Sequence, residues 1–141
     1  DAVMDADISV CCGGIIGMGE STEDRIKLLH TLMHLKKPPE SIPINALVPV
    51  KGTPLEKRAA VSPFELIRMV ATTRICFPTS MVRLSAGRMS LSQAEQAFCF
   101  MAGANSIFAG EKLLTTPNPA FDADDHLFSL LGITPKASCL V

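Results

Sequence analysis

Ile8-Ser9-Val10-Cys11-Cys12-Gly13-Gly14-Ile15-Ile16-Gly17-Met18-Gly19-Glu20 opens on a short apolar run and passes into a turn holding four glycines. Ile8 to Cys12 reads as a buried strand that ends at Gly13-Gly14. A helix follows. Ser21 can accept hydrogen bonds from first-turn amides, and Glu23 and Asp24 sit where the helix dipole favours acids. Ile26, Leu28, Leu29, Leu32 and Met33 recur at helical spacing, and Pro38-Pro39 stops the helix. Strand, glycine turn and helix in that order make one βα unit.

The unit repeats along the chain. Ile42 to Val48 is apolar and bounded by prolines, a second strand. Pro49 to Ala60 is polar and reads as a loop. Pro63 opens a helix with apolar positions Phe64, Ile67, Val70 and Ala71, which ends before Pro78. Met81 to Ser85 is a third strand. Ser92 caps the next helix, with Glu95 at the capping-box position. Asn105 to Phe108 is a fourth strand, and Asp122 to Leu131 a last helix with Gly132 as its cap. This alternation predicts an α/β fold with a parallel sheet over residues 1–141. Periodicity leaves a doubly wound sheet and a (β/α) barrel both open. Met18, Met33, Met69 and Met101 are expected to fill the core.

Composition removes several classes of function. The 141 residues carry a formal charge of -1 and are 48% hydrophobic, enough for one domain with a core. Pro, Arg or Lys breaks every apolar stretch before it reaches bilayer length. Basic clusters, Trp and Tyr are absent, which argues against nucleic-acid binding. Five cysteines without framework spacing fit a reducing compartment better than a disulfide scaffold. His30 and His34 have i,i+4 spacing but no third ligand, so they and His126 read as structural. The acidic N-terminus lacks a signal-peptide charge pattern.

Gly13, Ile15, Gly17 and Glu20 are similar to the GxIxGxxE pattern of radical S-adenosylmethionine enzymes. Any tight βα turn also needs such glycines. A dinucleotide fingerprint fits poorly, because no strand–helix–strand acidic partner follows. Further stretches sharpen the likeness: Pro38-Pro39-Glu40-Ser41-Ile42-Pro43-Ile44-Asn45, Val82-Arg83-Leu84-Ser85-Ala86-Gly87-Arg88, Phe100 to Phe108, and Leu113-Leu114-Thr115-Thr116-Pro117-Asn118-Pro119. Together, from about Val10 to about Pro135, the chain resembles the biotin synthases. The resemblance implies a parallel (β/α) TIM-type barrel, with residues 1–141 as roughly its C-terminal half, including the biotin/thiamin-synthesis-associated region.

The same resemblance implies roles. Cys11 corresponds to a cysteine ligand of a 2Fe-2S cluster, whereas Cys12 falls where relatives often carry Ser; without the likeness, Cys11 is a small buried apolar residue at a strand end. Arg83 corresponds to an arginine ligand of that cluster. By its own chemistry it would be a carboxylate clamp or a structural ion pair. Gly13, Ile15, Gly17 and Glu20 would meet the adenine part of S-adenosylmethionine. Asn45 would contact the ureido ring of dethiobiotin, although a buried Asn serving a neighbouring strand is the alternative. Thr115 and Thr116 would hold the substrate carboxylate, although for an isolated Thr-Thr-Pro an ordinary turn before Pro117 is the commoner reading. Arg88 reads as structural.

The chain has no CxxxCxxC for a 4Fe-4S cluster, and it opens directly on a strand; the expectation is a piece of a longer enzyme whose 4Fe-4S ligands lie upstream. That enzyme would insert sulfur into dethiobiotin as a homodimer fed by flavodoxin or ferredoxin. It would sit in the cytoplasm of a bacterium or the mitochondrion of a eukaryote. The rival readings are a radical S-adenosylmethionine enzyme with another small substrate and a non-catalytic α/β small-molecule-binding domain.

Overall fold

Serine caps start two of the helices. In the computed structural model, α2 (Thr22–Met33) follows Ser21, whose hydroxyl accepts from the Asp24 amide at 3.2 Å while the Asp24 carboxylate accepts from the Ser21 amide at 2.9 Å. Ser92 and Glu95 repeat this reciprocal box at 3.3 and 2.7 Å ahead of α4 (Gln93–Met101). Pro63 occupies the first turn of α3 (Pro63–Cys76), where its missing N–H is not needed. A short α1 (Ala2–Asp5) precedes them, and α5 (Phe121–Leu131) ends at Gly132, with φ +65°. The structure describes residues 1–109, 112–113, 116–119 and 121–136, giving only the backbone of 112–113 and 116–117.

Four parallel strands lie between the helices: β1 (Gly14–Ile16), β2 (Ser41–Ala46), β3 (Met81–Leu84) and β4 (Ser106–Ile107). Their spatial order is their sequence order. A doubly wound sheet reverses its strand order at a switch point; an unreversed run with helical crossovers is the barrel pattern. The chain is therefore half of a (β/α) barrel. An antiparallel pair, β5 (Lys112–Leu113) and β6 (Thr116–Pro117), stands apart from the main sheet.

One face of the sheet is closed. Ile16, Ile42, Ile44, Ala46, Val82 and Leu84 are buried and form one cluster with Leu29 and Leu32 of α2, Leu66, Met69 and Val70 of α3, and Cys99 of α4.

The structure revises several local expectations. The first strand ladder begins at Gly14, later than the Ile8–Cys12 reading; before it, only Cys11 bridges Ser41. Ser41 donates to the Val10 carbonyl, Cys12 to the Ser41 carbonyl, and the next rung would require an N–H from Pro43, which has none. Gly13 crosses there because a Cβ would fall 2.0 Å from the Pro43 carbonyl oxygen. On α3 the buried stripe is Leu66, Met69, Val70 and Thr73, not the Phe64 face. Of the four methionines expected inside, only Met69 is buried; Met18, Met33 and Met101 are exposed, and Met4 of α1 is buried instead.

The rotated face of α3 has a measurable consequence. Leu66 is 1% exposed and Phe64 73%. In the full-length protein, Leu66→Ala should cost about 2–5 kcal/mol in denaturant unfolding, while Phe64→Ala should stay within about 0.5 kcal/mol. Equal costs would contradict the burial pattern.

Candidate functional site

The glycine turn after β1 is organised by one carboxylate. Glu20 accepts from the Gly17 amide at 2.8 Å and the Gly19 amide at 3.1 Å. Gly17 and Gly19 adopt φ of +96° and +115°, a region that suits glycine. Arg25 of α2 donates from Nε to the same carboxylate at 2.8 Å and approaches Glu65 of α3 at 3.6 Å. Partial burial opposes ionisation of Glu20, but the Gly17 amide, its own amide and Arg25 outweigh it and lower the pKa from 4.5 to about 2. Glu20 is thus a fixed anion that shapes the turn rather than an acid–base catalyst near neutral pH.

The sheet face opposite the helices carries the other residues singled out in the sequence. Side chains alternate along a strand, and paired positions on neighbouring strands share a face. Cys11 pairs with Ser41, Ser41 with Met81, Ile15 with Asn45, Pro43 with Arg83, and Arg83 with Ser106. Cys11, Ile15, Asn45 and Arg83 therefore stand on one face. Cys11 is exposed there, whereas Cys12 points the other way and packs against the core.

Asn45 spans two strands. Its Nδ2 donates to the Gly14 carbonyl at 3.1 Å, and its Oδ1 accepts from the Ala86 amide at 3.1 Å. It does serve neighbouring backbone, yet an amide has two N–H groups and two acceptor lone pairs, so one of each remains. Arg83 donates from Nε to the Ser106 hydroxyl at 3.2 Å. Among the described residues it pairs with no carboxylate, so the ion-pair alternative finds no partner. Ser106 was not singled out from the sequence; only the β3–β4 register reveals it. Thr115 lies outside the described residues. Thr116 lies on β6 opposite Leu113, and its side chain also lies outside them.

No group of three or more His, Cys, Asp or Glu side chains among the described residues could hold a metal ion. His34 Nδ1 meets the His30 carbonyl at 2.8 Å, a local helical contact. An exposed Cys11 thiol fits the donor chemistry of an iron site, and Arg83 on the same face has no carboxylate partner among the described residues; any further ligands would come from outside these residues. Arg88, beyond β3, is buried and ion-paired to Asp124 of α5. No helix among the described residues is long and apolar enough to cross a membrane.

An unreversed parallel sheet with one face sealed by helices, and a thiol, an amide and a guanidinium on the other, defines half of a (β/α)-barrel protein with its interior face open. The family model described as the Biotin and Thiamin Synthesis associated domain matches residues 43–134, and the chain belongs to that family. A curated relative from Cytophaga hutchinsonii named biotin synthase is 60% identical over 98% of this chain and 41% of its own length. A mitochondrial biotin synthase of Arabidopsis thaliana is 64% identical over 95% of this chain and 35% of its own. The chain thus spans about two-fifths of these relatives, matching their C-terminal part. The crystal structure of methylornithine synthase shares the fold, with a TM-score of 0.70 at 19% identity over 92% of this chain and 41% of that one.

The pKa of Glu20 sets a pH window. A carboxylate held at about 2 against 4.5 contributes stability that is fully present above pH 4.5 and disappears as pH falls toward 2. Glu20 and Arg25 keep 18% and 17% of their side-chain surface open, so solvent still screens the pair and Glu20→Gln should cost only about 1 kcal/mol at neutral pH. Urea titrations of the full-length apoprotein should show the gap between variant and wild type closing across that window. A gap constant down to pH 2 would contradict it.

Proposed function

We propose that the whole protein containing this chain is a biotin synthase, an enzyme that inserts sulfur into dethiobiotin, and that this chain supplies the C-terminal half of its barrel. The reading is carried by one conjunction: Cys11, Asn45 and Arg83 share an open sheet face in a chain 60–64% identical to proteins named biotin synthase. When bound, S-adenosylmethionine with a 4Fe-4S cluster supplies the radical that removes hydrogen from dethiobiotin, and a 2Fe-2S cluster supplies the sulfur.

The chain's own residues bind and orient. The Cys11 thiolate is a soft ligand for iron. Arg83 has its Nε held by Ser106 and, among the described residues, no carboxylate partner, which leaves its Nη end for the cluster. The Gly17 and Gly19 amides are already taken by Glu20, so Ile15, half exposed on the open face, gives the turn an apolar contact for adenine. Gly13 keeps the backbone close to β2, where a side chain would not fit. Asn45 uses its remaining N–H and lone pair on the ureido ring, which both accepts and donates. Thr115 and Thr116 take the substrate carboxylate. The transfer of sulfur makes the enzyme a sulfurtransferase, here read as a homodimer supplied by flavodoxin or ferredoxin. Its compartment would be the mitochondrion, as for the Arabidopsis relative, or the bacterial cytoplasm.

Residues 1–141 alone should form no biotin. Strands β1 and β4 each leave an unpaired edge, the open face has no second half, and CxxxCxxC is absent. Purified chain incubated with dethiobiotin, S-adenosylmethionine, iron, sulfide and reductant is the test; measurable biotin would overturn the expectation.

In the full-length enzyme, Cys11→Ala should abolish 2Fe-2S absorbance and biotin formation, and Cys12→Ser should spare both. Arg83→Lys should disturb the cluster less than Cys11→Ala, because the thiolate ligands remain. Equal losses at Cys11 and Cys12 would refute the assignment.

A further inference from the structure

Residues that pair across the strands form rungs, and the open face carries three of them. Cys11 and Ser41 stand on the first with Met81. Arg83 stands on the second, with Pro43 and Ser106 at its sides. Ile15 and Asn45 stand on the third. Ser85 follows Arg83 by two residues, and Leu84 between them is in the core, so alternation returns Ser85 to the open face. Its amide donates to the Ile44 carbonyl at 3.2 Å, which sets Ser85 beside Asn45 on the third rung. The ladder then shifts by one residue. The Ala46 amide donates to the Ala86 carbonyl at 2.9 Å, and Asn45 Oδ1 accepts from the Ala86 amide at 3.1 Å. One extra residue thus enters on this side, a bulge of the kind that aims a side chain beside a site.

Ser85 is 5% exposed. Its hydroxyl has no hydrogen-bond partner among the described residues, yet it is not sealed off from its surroundings. An enclosed hydroxyl left unpaired costs stability, so such a group calls for a partner. Its position selects the chemistry of that partner. With a rise of about 3.3 Å per residue and strands about 4.8 Å apart, Ser85 stands about 6.6 Å from Arg83 along its strand and about 4.8 Å from Asn45 across the ladder. It is therefore nearer the amide read as the ureido contact than the guanidinium read as the cluster ligand. Asn45 has one N–H and one lone pair left. These can meet one N–H of a cyclic urea and one lone pair of its carbonyl oxygen. That oxygen has a second lone pair, and Ser85 is the neighbouring donor on the rung.

We infer that Ser85 is a substrate-binding residue that donates its hydroxyl hydrogen to the ureido carbonyl, beside Asn45. The inference rests on the biotin synthase reading and on the role given there to Asn45. It makes the third rung the rung of the substrates and leaves the first two to the iron site.

The test uses full-length holoenzyme, dethiobiotin, and the thiocarbonyl analogue in which sulfur, a weak acceptor, replaces the ureido oxygen. Ser85→Ala and Asn45→Ala are compared with wild type. The 2Fe-2S absorbance and the affinity for S-adenosylmethionine report an intact barrel. Ser85→Ala should keep both. It should weaken dethiobiotin binding about tenfold and change binding of the analogue less than about twofold. If Ser85→Ala loses S-adenosylmethionine affinity, Ser85→Gly decides in its place. An unchanged preference for oxygen over sulfur in the deciding variant overturns the inference. So does loss of the 2Fe-2S absorbance with equal weakening of both ligands, which would put the hydroxyl at the cluster. A wild type that binds both ligands equally overturns it as well. Asn45→Ala separates the inference from the reading beneath it. If wild type forms biotin and Asn45→Ala weakens dethiobiotin binding while Ser85→Ala does not, the inference alone fails. If wild type neither binds dethiobiotin nor forms biotin, the reading fails and takes the inference with it.

Discussion

Every side chain on β1 to β4 must choose between two faces, because the pleat alternates them strictly. On one face the choice is apolar: Ile16, Ile42, Ile44, Val82 and Leu84 meet the helices and exclude water. That burial fixes which residues go to the other face, and Cys11, Ile15, Asn45 and Arg83 stand there as a consequence. A one-residue slip of any strand would send its open-face side chains into the core and its core residues to the open face. The hydrophobic pattern thus holds the register of the site as well as the fold.

Much of this was legible because local chemistry decided it. Ser21 with Asp24 and Ser92 with Glu95 place helix starts from within a single turn, and Pro63 and Gly132 mark ends in the same local way. The errors share a different character. The start of β1 depends on Pro43, some thirty positions along the chain, which withholds an N–H from the rung that Ile8 to Cys12 would need. The buried stripe of α3 depends on which side meets the sheet, and Phe64, the bulkiest apolar residue near its start, lies outside it. Methionines are flexible enough to sit on either side, so their composition says little.

The candidate site divides along the same line. Glu20 lies within reach of its own turn, and its role as an orienting carboxylate follows from the neighbouring glycines. Arg83 needed tertiary information twice: to bring Ser106 opposite it, and to reveal that no described carboxylate claims it. Asn45 is resolved less sharply, because serving the backbone of its neighbours and serving a ligand are compatible for a group with four hydrogen-bonding positions.

Two charge clusters, one at the turn after β1 and one beyond β3, work by opposite means. Glu20 keeps some contact with water, and the amides and Arg25 gathered around it together outweigh a desolvation cost that is the largest single influence on it. Arg88 and Asp124 are enclosed, so their attraction is largely cancelled by the cost of leaving water. The first arrangement can shape a turn cheaply and tolerate some motion. The second tolerates little, since a displaced partner would leave an uncompensated charge inside the protein. That asymmetry separates a pair that locks α4, α5 and the segment after β4 to one another from a pair that shapes a single glycine turn.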